Sequence, residues 1–265
     1  MSCFATSLAL IAITIIAARV PENERAQNWR ADPRNIWPPT WQNNSEMFRQ
    51  NMMKREEDLQ RIPGANERWE NYMQYTQSQL VPRFTERGFD VIPIPEDLFA
   101  LLKEKLDTSL ENWDNIRTER QIDAVHTPMP SKFIDIPNLT KLVLDRLKPL
   151  HEEWAGGMEL KGTSVYGIRA YQNGSALIMH YDKVHTHVIS SIVHIGHSYD
   201  DEEEPWPIEI EDHDGVLHAV SLKEGEMLFY ESASCLHGRR STFKGKHYSS
   251  IFVHYQPVDT SIWNW

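Results

Sequence analysis

The chain has 265 residues, a mass of 30.9 kDa and a formal charge of -11, from 27 Lys plus Arg against 38 Asp plus Glu. That length suffices for one large domain or two small ones, and 40% hydrophobic with 25% charged residues excludes a wholly disordered chain, a collagen and a multi-span membrane protein. The acidic balance lacks the basic footprint that a nucleic-acid partner needs, and the two cysteines, Cys3 and Cys235, form no CxxC, zinc ribbon or disulfide framework.

From the amino terminus, Cys3 to Ala18 is uncharged and ends at Arg19, so residues 1–19 read as a signal peptide cleaved near Ala18 or as a signal anchor. The expected location is the secretory pathway, in the endoplasmic reticulum lumen or outside the cell, and a membrane partner is expected only for an uncleaved anchor. Arg19, Arg25, Arg30 and Arg34 all follow the run, an awkward orientation for an anchor. Asn43, Asn138 and Asn173 begin sequons compatible with secretion. Residues 20–87 read as a linker and a helical extension. Pro33, Pro38 and Pro39 keep its first part extended, Trp37 and Trp41 pin that arm to a surface, and Pro63-Gly64 separates two polar helices over 45–61 and 66–80.

After Gly88 the pattern changes. Phe89 to Ile94 reads as a strand, Pro95-Glu96-Asp97 opens a helix with Leu98, Leu101, Leu102 and Leu106 on one face, and 138–153 is an amphipathic helix. Strands are then expected at 164–171, 176–181, 186–196, 206–212, 217–222, 226–231 and 247–256, with Asp212-His213-Asp214-Gly215 as a hairpin turn. This order predicts an α+β domain over 88–258, a sandwich or jelly roll with helices outside it, and a short tail over 259–265.

Twelve histidines are many for this length, and most fall between His180 and His254. On a strand His180 and Asp182 project to one face and can grip a single ion, whereas on a helix they diverge by about 200°. A third ligand must come from a strand neighbouring in space. The candidate is His237, in Ser234-Cys-Leu-His-Gly-Arg239. Two imidazoles and one carboxylate on one face of an octahedral ion leave three adjacent positions open, the arrangement of non-heme Fe(II) oxygenases.

At this point the chain resembles the Fe(II)- and 2-oxoglutarate-dependent dioxygenases of the prolyl 4-hydroxylase-like group, over roughly Phe89 to Pro257. The marks are the Tyr171 to His180 spacing, His180-x-Asp182, Gly225-Glu-Met-Leu-Phe-Tyr-Glu231, and His237-Gly with a basic strand following. The resemblance implies a double-stranded β-helix core, with Fe(II) on His180, Asp182 and His237. It implies 2-oxoglutarate as cosubstrate, its distal carboxylate bonded by Tyr171, decarboxylation to succinate coupled to hydroxylation of a C–H bond, and ascorbate as a reductant. The implied partner is a peptide or protein substrate, with a prolyl side chain as the target.

In the family a Lys or Arg nine or ten residues after the distal histidine pairs with that distal carboxylate. Here the positions are Lys246 and His247, and strand alternation lets only one face the ligand. Lys246 is favoured because its charge does not depend on pH near neutrality, while the collagen-type spacing selects His247. Thr186, Ser190 and Ser250 are either minor contacts to cosubstrate or core hydroxyls. His185 is placed at the pocket rim and His187 on the other face of its strand. Arg239 and Arg240 are placed at the surface, Asp200 to Glu204 in a solvated loop near the barrel mouth, and Cys235 in the core close to iron. Two rival readings stand beside this one: a non-catalytic jelly-roll binding module, and a cupin-type metalloenzyme that uses His185 or His187 without 2-oxoglutarate.

Overall fold

The structure is a computed structural model that describes residues 53, 57, 59–78, 81–119, 129–202 and 204–259. The 1–19 segment, the Trp37–Trp41 arm, the Asn43 sequon and most of the helix expected over 45–61 lie outside the described residues. Among the described residues no helix is long and apolar enough to cross a membrane.

Among the described residues the main helices and strands follow in the order α1 (Ala65–Ser78), β1 (Phe89–Pro93), α2 (Glu96–Leu110), β2 (Arg117–Thr118), β3 (Lys132–Ile134), α3 (Thr140–Trp154), β4 (Leu160–Val165), β5 (Ile168–Tyr171), β6 (Leu177–His180), β7 (Ile189–Tyr199), β8 (Ile208–Glu211), β9 (Leu217–Val220), β10 (Glu226–Tyr230), β11 (His237–Arg239) and β12 (Gly245–Pro257). One sheet has the order β1-β10-β7-β12-β5-β3-β2, with β4 also paired to β12, and the second has the order β6-β11-β8-β9. Two facing antiparallel sheets with this crossover order form a jelly roll.

The division of faces follows from side-chain alternation on β12. Ile251, Val253 and Tyr255 join Leu98, Leu102 and Leu106 of α2 and Val143 and Leu147 of α3 in one core, so the helices cover the outside of the larger sheet. Phe252 and His254 point the other way, into the space between the sheets. Along α2 the buried stripe is Leu98, Leu102 and Leu106, at four-residue spacing, and Leu101 is 42% exposed instead of sharing it.

The strand expected over 164–171 starts earlier and is interrupted at Tyr166-Gly167, although β4 and β5 both pair with β12. A side chain on Gly167 would sit 2.3 Å from the carbonyl oxygen of Ile134, so this close crossing of β3 requires glycine. The hairpin at 212–215 forms as expected, with Asp212 Oδ1 accepting from the backbone of Asp214 at 2.9 Å and of Val216 at 2.8 Å.

Candidate metal centre

His180 ends β6 and His237 begins β11, and the two residues are direct partners in the antiparallel register. Their rings lie 4.5 Å apart between centroids. Gly238 allows this approach, because a Cβ there would meet the carbonyl oxygen of Ile178 at 2.6 Å. Asp182 sits just beyond β6 rather than on it, and its backbone N–H donates to the Ser232 carbonyl at 2.9 Å. The chain after β10 therefore holds both the carboxylate and the distal histidine.

One ligand atom from each of His180, Asp182 and His237 lies within 4.8 Å of the others, and among the described residues this is the group of three that can hold a metal ion. Nδ1 of His180 is 2.8 Å from the Ile178 carbonyl, and Nδ1 of His237 is 2.9 Å from the Cys235 carbonyl. A carbonyl only accepts, so each Nδ1 carries the proton and each Nε2 offers its lone pair to the centre. Burial, then the neighbouring His180, pulls His237 down to about 4, so the ring is neutral near pH 7. Burial favours a protonated Asp182, but His237, His254, His187 and His180 outweigh it and bring the carboxyl to about 2.

The centre thus presents a neutral His237 imidazole and an ionised Asp182, the states that metal binding requires of these two ligands, with Nε2 of His180 turned to the same point. Oδ2 of Asp182 is buried without a hydrogen-bond partner, and its nearest charged-group contact is His254 Nδ1 at 3.9 Å. A buried carboxylate oxygen in that condition is costly unless a cation joins it. The donor set therefore fits Fe(II).

The triad opens on a cavity of ≈ 130 Å³, against the ~10–15 Å³ that one water needs on the same measure. Tyr171 lines it, and so do His187, His254, Arg239 and Gln74. The rings of His187 and His254 lie 3.8 Å apart between centroids, tilted by 40°, with Tyr166 Oη 3.1 Å from His187 Nε2 and Ser190 Oγ 2.8 Å from His254 Nδ1.

The remaining expected residues separate. Lys246 is the unpaired residue of a bulge, since Gly245 faces Tyr199 and His247 faces Ser198 across the ladder; it is exposed and does not line the cavity. His247 is buried on the helix side of β12, 3.0 Å from Ser249 Oγ and near the Trp113 ring, and it does not line the cavity either. Thr186, Ser190 and Ser250 bond His187, His254 and His194 and are absent from the lining.

His185 is exposed away from the cavity, whereas His187 belongs to its wall rather than to an outer face. Arg240 is exposed and pairs with Glu209, as a surface residue does, but Arg239 is 4% exposed and lines the cavity. Cys235 is buried among Phe89, Leu228 and Tyr230 and does not line the cavity, and burial pushes its thiol well above the usual range. Arg169, His254, Tyr230 and Gln74 were not singled out by sequence reasoning. Only His254 carried a signal, the period-two pattern of β12.

The solved structure of AviO1 from Streptomyces viridochromogenes Tue57 superposes with a TM-score of 0.50 at 14% identity, covering 67% of this chain and 93% of that one. A prolyl-4-hydroxylase from Pseudomonas putida gives 0.47 at 15%, over 64% and 93% of the two chains. A prolyl hydroxylase from Trichoplax adhaerens, solved with a hypoxia inducible factor peptide fragment, gives 0.49 at 10%, over 70% and 92%. The fold is a double-stranded β-helix, shared with AviO1. No family model and no curated protein matches the chain.

Proposed function

We propose that the chain is a non-heme Fe(II) oxygenase that uses 2-oxoglutarate to hydroxylate an unactivated C–H bond. The observation that carries this reading is the convergence of His180, Asp182 and His237 within 4.8 Å at the floor of a cavity large enough for a small organic acid. Bound Fe(II) would supply oxygen activation coupled to decarboxylation of 2-oxoglutarate to succinate.

The chain's own residues bind, orient and exclude water. His180 and His237 are held with Nε2 inward by their carbonyl partners, so they present donors without a rotamer search. Tyr230 lays its ring edge-on to His237 at 4.8 Å, and Ile192, Ile208 and Phe252 make the adjoining wall apolar. A dry wall strengthens the interaction of any charged ligand with the fixed groups around it.

A peptidyl proline as the target follows from the sequence resemblance, and the acidic Asp200 to Glu204 loop suits a peptide that carries basic residues. The test is succinate release from 2-oxoglutarate by purified protein, with Fe(II) and ascorbate, alone and with a library of proline-containing peptides. Fe(II)-dependent succinate that rises with peptide supports both parts of the reading. No succinate under any of these conditions rejects it in favour of a binding module.

A further inference from the structure

We propose that Arg239, two residues after the distal histidine, is the cation that binds the distal carboxylate of 2-oxoglutarate, in place of a Lys or Arg on the following strand. The inference rests on the oxygenase reading above and assigns one ligand group to one side chain.

It begins with the face of β12. Phe252 and His254 point into the cavity, so Tyr248, on the same alternation, is the inward residue nearest the position where the cation was expected. Tyr248 is neutral and fully buried, and it stands opposite Tyr171 in the ladder. Lys246 and His247 precede it, one in a bulge facing solvent and one on the helix side.

The charge missing from β12 is present on β11. The Arg239 guanidinium lies 4.4 Å from the centroid of Tyr248 and 4.5 Å from that of Trp206. Its Nη2 donates to Tyr248 Oη at 3.0 Å and its Nη1 to the Trp206 carbonyl. Tyr171 closes the same corner, with its ring 5.1 Å from Trp206.

Two arginines are buried in the described body, and they differ in one respect. Arg169 makes a bidentate pair with Glu119, both bonds at 2.6 Å. Arg239 has only neutral acceptors and rings, and among the described residues no carboxylate pairs with it. A guanidinium has five donors, and two of them are engaged here. A buried cation with free donors and no counter-charge is unfavourable by itself, and a carboxylate arriving from solvent satisfies both deficits at once. The aromatic contacts fix the plane of the group before the anion arrives, which lysine on a flexible stem does not allow.

The test measures binding of 2-oxoglutarate and of 2-oxopentanoate, which has the same chain length without the distal carboxylate, to Mn(II)-loaded protein by calorimetry. Wild type should prefer 2-oxoglutarate by about 30-fold or more, as expected for a desolvated carboxylate–guanidinium pair. Arg239→Leu and the better size match Arg239→Gln should lower that preference to within about threefold, while Mn(II) affinity stays unchanged. Arg239→Lys should keep part of it. Apo Arg239→Leu should melt no lower than wild type, since the substitution removes an uncompensated buried charge, and Arg239→Gln carries the test if the leucine variant does not fold.

A preference retained in both neutral variants overturns the assignment and leaves the oxygenase reading intact. Wild-type protein that binds Mn(II) but neither 2-oxo acid overturns the reading and the assignment together.

Discussion

His237 illustrates how a single residue comes to bind a metal in this chain. Its backbone starts β11, its Nδ1 is tied to Cys235, its ring is packed edge-on by Tyr230, and only Nε2 is left to act. His180→Ala, Asp182→Ala and His237→Ala should therefore each reduce affinity for a divalent metal by more than the ~10–100-fold that loss of an outer partner costs, and each should abolish succinate release. His185→Ala, altering an exposed side chain away from the cavity, should change neither; metal titration by calorimetry checks all four. The candidate triad was legible from the His180-x-Asp182 spacing, although only His180 lies on β6 and Asp182 reaches the same point from just beyond the strand's end. The placement of Arg239 was not, because sequence shows that Arg239 and Arg240 are adjacent but not which of them a three-residue strand turns inward.

At the scale of elements, the long periodic segments were legible and the short ones were not. The helix expected over 138–153 is α3 at Thr140–Trp154, and the strand expected over 226–231 is β10 at Glu226–Tyr230, because both carry enough apolar repeats to define a period. The strand β11 has only His237, Gly238 and Arg239, too few for any pattern, and tertiary pairing with β6 and β8 creates it. Gly238→Ala tests that pairing: the added methyl meets the Ile178 carbonyl at 2.6 Å and must push β11 from β6. Stability should fall by about 1–3 kcal/mol, as for overpacking generally, and metal affinity should fall with it because His237 moves. A variant with wild-type metal affinity would show that the two strands tolerate a wider spacing.

The chain that follows β10 is held by a fully buried carboxylate. Glu231 accepts from the backbone of Phe84 at 3.0 Å and of Thr85 at 2.7 Å, from Thr85 Oγ1 at 2.6 Å and from His213 Nε2 at 2.9 Å. Burial opposes its ionisation, but His213, Thr85 and Phe84 outweigh burial and lower it below its ordinary 4.5. Glu231→Gln should cost on the order of 3 kcal/mol, the range for breaking a buried ionic network, read by urea unfolding at pH 7. The sequence marks Glu231 only as the end of a strand, since its donors include residues up to 147 positions away.

Across the whole described body, acid stability depends on groups that the fold holds in one charge state, and His151 isolates one of them. It is fully buried on α3 between Phe229 at 4.2 Å and Tyr255 at 4.5 Å, with Nδ1 bonded to the Leu147 carbonyl and Nε2 unpartnered. Burial lowers it from 6.5 to about 4, and the Leu147 carbonyl only partly opposes that. Between those two values the unfolded chain binds the extra proton and the folded chain does not, so stability rises with pH there and is lost as pH falls from 6.5 towards 4. The full window corresponds to about 3 kcal/mol, and at pH 5 about 2 kcal/mol should already be gone. His151→Leu, similar in volume and lacking the unpartnered nitrogen, should lie within about 1 kcal/mol of wild type at pH 7. On going to pH 5 it should gain about 2 kcal/mol relative to wild type, because every other titrating group is common to both proteins. Urea unfolding of the pair at the two pH values reads this directly, and a difference that stays constant between them would mean that the buried ring protonates as readily as an exposed one.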